Sequence, residues 1–258
     1  MLTKPVAKYV AILLLSLICS DVIAAPLKFC YEDTPQKPWT NPDGTGLNIV
    51  LLQQVEKRLG EQFIYVSQPW KACQEAVRAG EFDGFFSAAP SKNRREYSVF
   101  PSLADGSPDP QAILYEEAFS VYLRQGGSGS WDGKVLRSPR NVIVQSGYVV
   151  GAMVREQGLE IDDSSKSAED GLNLLLQNKA DVAILQGAGT ETLARVDQRF
   201  KDRVEKAPAP FVVVPLYLAI NKNTFARDPK RIEAIWRTIH VVRQSPDYLK
   251  GLEDANVR

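Results

Sequence analysis

Histidine is almost missing from this 258-residue sequence, which has only His240. A metal centre built on several imidazoles is therefore excluded. His240 itself falls within an apolar helical stripe, where a packed or surface role outweighs a catalytic one. Cysteine is scarce as well, at three residues; no Cys/His metal cluster is seen, and a disulfide would consume two of them. Charge of one sign is not in surplus: 31 basic side chains face 31 acidic ones. A non-specific nucleic-acid binder would carry a basic excess, so that class of function recedes. A phosphate-cradling loop is also lacking, because Gly126-Gly127-Ser128-Gly129-Ser130 has neither the lysine nor the preceding strand that such a loop needs. Long apolar runs are confined to the N-terminus, and the one there, Val10 to Cys19, is shorter than a bilayer crossing.

That N-terminal run has the features of a secretory leader. Lys4 and Lys8 precede it, and Val22-Ile23-Ala24 supplies small-residue cleavage chemistry after it. Residues 1–24 are read as a signal peptide, and export to a periplasm is expected. Cleavage one residue later would leave Pro26 just past the cut, which is unfavourable. Cys19 raises a lipid-anchored alternative, but Ser16-Leu17-Ile18 matches an attachment pattern poorly. Loss of Lys4, Lys8 and Asp21 leaves a net charge of −1. Two cysteines remain, Cys30 and Cys73. In an oxidising compartment an even pair reads as a disulfide, the alternative being two buried thiols. A bridge over this separation would contribute about 4 kcal/mol in the chain-entropy picture.

The mature chain alternates strand and helix signals. Leu27 to Tyr31 reads as a strand, and residues 32–46 as a turn-rich loop with Pro35, Pro38, Pro42 and Gly44. Leu47, Leu51, Val55 and Leu59 then mark one helical face, which Gly60 ends. Phe63 to Val66 is a second strand. The stretch from Gln68 to Pro101 organises the rest. It holds a short helix, a Gly80 stop, Asp83 opening the aromatic strand Gly84-Phe85-Phe86, and a polar loop with Ser87, Ser91, Arg94 and Arg95. In open α/β sheets ligands bind at the carboxyl ends of strands, where this loop emerges. A guanidinium placed there suits a carboxylate, because its fork gives two parallel hydrogen bonds.

The second half repeats this grammar. Residues 125–130 form the clearest linker signal. Asn141 to Val144 reads as a strand, Ser167 with Asp170 as a helix cap, and Asp181 opens the apolar strand Val182 to Leu185. The pair 78–86 and 177–185 look like one helix-stop-Asp-strand unit used twice, which points to two similar α/β lobes. Phe211 to Ile220 is expected to carry the chain back to the first lobe. Asp228-Pro229 caps a helix whose stripe is Ile232, Ile235, Trp236, Ile239 and Val242.

Trp70, Gly80-Glu81-Phe82-Asp83, Arg94, Phe100 and Pro101 occur in an order and spacing that resembles the bacterial extracellular solute-binding proteins of family 3, the polar-amino-acid type. The resemblance spans about Leu27 to Leu252. It implies an α/β, two-lobed periplasmic-binding-protein fold of type II, each lobe an open, mostly parallel sheet flanked by helices, with two hinge crossings. The expected limits are 25–124 for the first part of lobe one, 125–208 for lobe two and 209–258 for the return to lobe one. The resemblance also implies that Arg94 clamps a ligand carboxylate, aided by Ser87 and by backbone N–H groups around Ser91, with Arg95 a surface charge.

Lobe two departs from the family pattern. Gly147-Tyr148 stands where Gly-Thr is usual, and Gln186 stands where an aspartate usually holds the ligand's ammonium. A neutral amide cannot neutralise a cation. Either the ligand lacks an amine, or its cation is met elsewhere, for example by Glu32. Tyr148, Trp39 and Trp70 are candidate aromatic walls. The resulting expectation is a monomeric, non-enzymatic, cofactor-free protein. It would capture an amino acid or related carboxylate for an ABC-type permease, without nucleic-acid partners. Two alternatives stand beside it: a ligand sensor for a membrane signalling protein, and a hydrolyase using Glu32 or Asp33.

Overall fold

The computed structural model describes residues 25–255 and 257. The proposed leader, residues 1–24, lies outside them. The first lobe opens with β1 (Leu27–Glu32), α1 (Leu47–Leu59), β2 (Phe63–Gln68), α2 (Trp70–Ala79) and β3 (Gly84–Ala88). Helix α1 buries Leu47, Leu51, Leu52 and Val55, as its spacing requires, while Leu59 stays exposed. Gly60 and Gly80 end α1 and α2 at positive φ, 68° and 79°, the conformation that glycine adopts without strain. Strands β1 and β2 run parallel in register from Leu27↔Phe63 to Glu32↔Gln68, and β3 lies parallel to β1 on its other side.

Next come β4 (Ser98–Val99) and the long β5 (Tyr115–Arg124), then a small hairpin, β6 (Ser130–Trp131) with β7 (Leu136–Arg137). Lobe two continues with β8 (Val142–Gln145), α3 (Val150–Glu156), β9 (Ile161–Ser165), α4 (Ala168–Leu176), β10 (Val182–Gln186) and α5 (Ala188–Val196). The chain returns through β11 (Val204–Asn221) to α6 (Lys222–Arg227), α7 (Pro229–Arg243) and α8 (Pro246–Asp254). The capping box of Ser167 with Asp170 is formed, and Asp228 caps α7 ahead of Pro229. Among the described residues no helix is long and apolar enough to cross a membrane.

The sheet order is β2-β1-β3-β11-β5-β10-β8-β9, with β4 also on β11. Strands β1 to β3 are parallel in one lobe, and β8 to β10 in the other. Between them, β5 and β11 pair antiparallel from Tyr115↔Leu216 to Arg124↔Val204. This two-stranded ribbon joins the lobes. Strand β5 already pairs with β10 from Phe119 to Leu123. The Gly-rich run 125–130 follows it, and a Cβ on Gly129 would meet Val182 at 2.3 Å, so this run is packed against β10.

The Asp-strand unit recurs as read. Asp83 accepts from the Lys28 N–H at 2.9 Å, the Thr224 hydroxyl at 2.8 Å and Arg227 at 3.1 Å. Asp181, only 2% exposed, pairs with Arg124 and lies 3.8 Å from the Arg140 Nε. Cys30 and Cys73 are joined by a disulfide, which settles the choice between bridge and free thiols. The bond ties β1 to the first turn of α2.

Candidate functional site

Both lobes direct the carboxyl ends of their parallel strands at the seam between them. Strand β1 ends in Glu32 and β3 in Ser87-Ala88, while β8 leads to Gly147-Tyr148 and β10 ends in Gln186. Ser87 takes φ +59° to turn the chain out of β3, and its hydroxyl accepts from the buried Asn48 amide at 2.9 Å. The loop then makes a single tight turn, Arg94–Glu96, whose backbone is braced by the Ser91 hydroxyl accepting the Arg94 N–H at 3.3 Å.

That turn buries Arg94 to 4% exposure. Its guanidinium lies 5.0 Å over the Trp70 ring. Nη1 donates to the Ala89 carbonyl at 2.8 Å, Nη2 to the Gly147 carbonyl at 3.0 Å, and Nε to Gln74 Oε1 at 3.1 Å. Three of its five N–H donors are thereby used, leaving one on each Nη. Arg94 is in no ion pair among the described residues. Burial without a direct counter-charge pulls its pKa down to about 10.

At the other end of the cleft, Glu32 anchors a network that crosses the seam. Tyr148 donates its hydroxyl to Glu32 Oε2, and Gln36 Nε2 donates to the same oxygen at 3.0 Å. Gln36 also donates to the Tyr148 oxygen at 3.0 Å, and Gln186 Nε2 donates to it at 3.2 Å and to Gln36 Oε1. Burial pushes the Glu32 carboxyl up to about 7, outweighing the downward pull of the hydrogen bonds from Tyr148 and Gln36. Burial, and secondarily the neighbouring Glu32, holds the Tyr148 phenol well above its ordinary value. A second carboxyl, Glu117 on the ribbon strand β5, is also raised to about 7 by burial, and it accepts the Gly187 N–H at 3.1 Å.

The cavity between these ends is lined by Glu32, Trp70, Ser87, Arg94, Tyr148 and Gln186 together with Gln36, Tyr115 and Phe119. Its volume is about 30 Å³, room for one water, so a solute enters only when the lobes part. Three expected residues stand back from it. Trp39 stacks on Tyr115 at 4.0 Å, so Tyr115 faces the cavity instead. Ser91 braces the Arg94 turn. Gly147 acts through its carbonyl, and a Cβ there would meet Trp70 Cδ1 at 3.3 Å and Gln74 Nε2 at 3.0 Å. Gln36, Tyr115 and Phe119 were not singled out from sequence. Tyr115 and Phe119 lie four apart on a strand and so share a face, which was the available signal. Gln36, inside a Pro-rich loop, carried none. Among the described residues, the one carboxyl and the one guanidinium that line this cavity, Glu32 and Arg94, both come from lobe one.

About nine-tenths of the chain superposes on known two-lobed structures. A histidine kinase sensor domain with similarity to periplasmic binding proteins matches at TM-score 0.70 and 13% identity, over 90% of this chain and 96% of that one. The fold is that of the periplasmic binding proteins. This fold is shared with the arginine-, lysine-, histidine-binding protein ArtJ of Geobacillus stearothermophilus, at TM-score 0.67, 15% identity and coverage of 91% and 96%. It is shared too with the GluR0 ligand-binding core of Nostoc punctiforme, solved with (L)-glutamate, at TM-score 0.66, 14% identity and coverage of 90% and 100%. No protein-family model and no curated protein matches the sequence. The binding-protein likeness is thus carried by architecture, and the roles of individual side chains rest on their chemistry here.

Proposed function

We propose that this chain is a periplasmic solute-binding protein that captures a small polar solute, an amino acid or related carboxylate, between its lobes. Its partner in this reading is an ABC-type permease, and it works as a monomer without catalysing a reaction. The observation that carries the reading is Arg94. A buried guanidinium with no carboxylate partner, and with one free N–H on each Nη, is matched by a ligand carboxylate that takes both in parallel. The likeness to proteins whose names record arginine, lysine, histidine and glutamate as ligands supports the same class. Lobe limits of 25–124, 125–208 and 209–258 belong to this proposal, with the signal peptide before them.

A thermal-shift screen of residues 25–258 against amino acids and small organic acids tests it. A ligand at 100 times its Kd adds about 2.7 kcal/mol and raises the midpoint visibly. Arg94→Ala is expected to abolish the shift. Arg94→Lys keeps the charge but loses the fork and is expected to weaken binding about 100-fold. Unchanged affinity in both variants would remove the clamp.

The likeness to a kinase sensor domain supports a second reading, in which the closed, liganded form is presented to a membrane signalling protein. Deleting the gene separates the two. Loss of ligand uptake supports transport, and intact uptake with a lost transcriptional response supports sensing.

A further inference from the structure

A cavity larger than the one at the centre of the inter-lobe cleft lies on lobe one alone. It is a groove of about 750 Å³, within the range of small-molecule sites. Its walls are the chain after β4 and the helices α6 and α7. Its accessible apolar part is Val99, Phe225 and Val241, backed by the buried rings of Phe100, 1% exposed, and Trp236, 7% exposed, on which Phe225 stacks at 5.7 Å. Ser98 also lines it, is 2% exposed, and has a buried hydroxyl without a partner among the described residues.

The charges on the rim are unequal in their commitments. Glu233 pairs with Arg237 at 3.7 Å, and Asp109 caps its own turn by accepting the Gln111 N–H at 2.9 Å. Arg95, set 5.5 Å over the Phe100 ring, and Lys222 are in no ion pair among the described residues. The groove therefore joins an apolar floor to two cations without a carboxylate partner among the described residues, Arg95, which also donates to the Ser102 hydroxyl at 3.5 Å, and Lys222. We propose that it is a second binding site, for a small carboxylate with a flat apolar body. The carboxylate pairs with Arg95 and Lys222, and the body rests on the half-buried Phe225 and Val99 and the exposed Val241. Arg94 and Arg95 are adjacent on one short turn, the first lining the cleft and the second the groove, so the turn is a wall common to both sites.

The test is a titration of the mature protein with phenylacetate, followed by backbone amide NMR, with benzylamine as the ring of opposite charge. Saturable shifts at Val99, Phe225 and Val241 are expected with phenylacetate and not with benzylamine. The double variant Arg95→Ala/Lys222→Ala is expected to weaken phenylacetate binding by about tenfold or more while its thermal midpoint stays close to that of the parent. Arg94→Lys, which impairs the cleft, is expected to leave the groove shifts in place. Shifts confined to cleft residues such as Trp70 and Tyr148, equal binding of benzylamine, or no saturation by about 20 mM, the weak end of the affinity scale, would each overturn the proposal. Protection of the groove only by a protein partner would overturn it too.

Discussion

Replacing Glu32 by glutamine is the perturbation whose outcome follows most directly from the cleft. The folded carboxyl titrates at about 7 against 4.5 for the free group. At about 1.4 kcal/mol per unit this difference amounts to about 3 kcal/mol. The sign is set by proton counting. Between these two values the folded chain keeps a proton that the unfolded chain has lost, so stability falls as pH rises through the window and levels off above it. Glu117, also near 7, adds a second proton to the same slope. Glu32→Gln keeps the shape and removes one of the two titrations, so the variant is expected to lose stability about half as steeply. Urea unfolding at intervals between about pH 5 and 8 measures this. A variant curve parallel to that of the parent would refute the burial argument. The same proton reports on the ligand. An ammonium placed at Glu32 would ionise it, so binding near pH 6 would release close to one proton and affinity would rise with pH. An amine-free carboxylate would leave Glu32 protonated and show no such rise. Calorimetry in two buffers of different ionisation heat distinguishes the cases.

Gly147→Ala sets a methyl against Trp70 and Gln74 at φ +78° and is expected to hold the lobes apart, seen as a larger radius of gyration at saturating ligand. Asp181→Ala strands Arg124 beside Arg140 and removes a buried ion pair. A loss of about 3 kcal/mol is expected, read as a midpoint lowered by roughly 6–12 °C. The double variant Cys30→Ala/Cys73→Ala opens a loop of 43 residues and is expected to lose about 4 kcal/mol in urea unfolding; a change under about 0.5 kcal/mol would remove the entropic account.

The sequence discloses features that depend on backbone conformation or on one strong local interaction. Gly60 and Gly80 stop helices because positive φ is needed there, and Asp83 and Asp181 open buried strands because each satisfies donors at the strand's start. The Cys30–Cys73 pairing was legible from compartment chemistry. Features that depend on tertiary neighbours were not. Strand β9, Ile-Asp-Asp-Ser-Ser, is polar because it is an edge strand, and it alternates too weakly to announce itself. Helix α5 and the β6–β7 hairpin were likewise unmarked. The return strand was read at Phe211, yet its ladder begins at Val204, because Pro208 and Pro210 interrupt the pairing without ending it. Trp39 has the composition of a cleft wall, but only the position of Tyr115 decides which ring faces inward.

Because the one cation and the one carboxyl that line the small central cavity, among the described residues, both belong to lobe one, while lobe two adds the neutral Tyr148, Val149 and Gln186 there, capture divides in time. A charged solute is steered and oriented by the open first lobe, so its arrival rate should fall as salt is added. The second lobe then closes through dipoles, rings and one exposed ion pair, Lys71 with Asp163 at 3.3 Å, so the residence time should respond less to ionic strength than the arrival rate does.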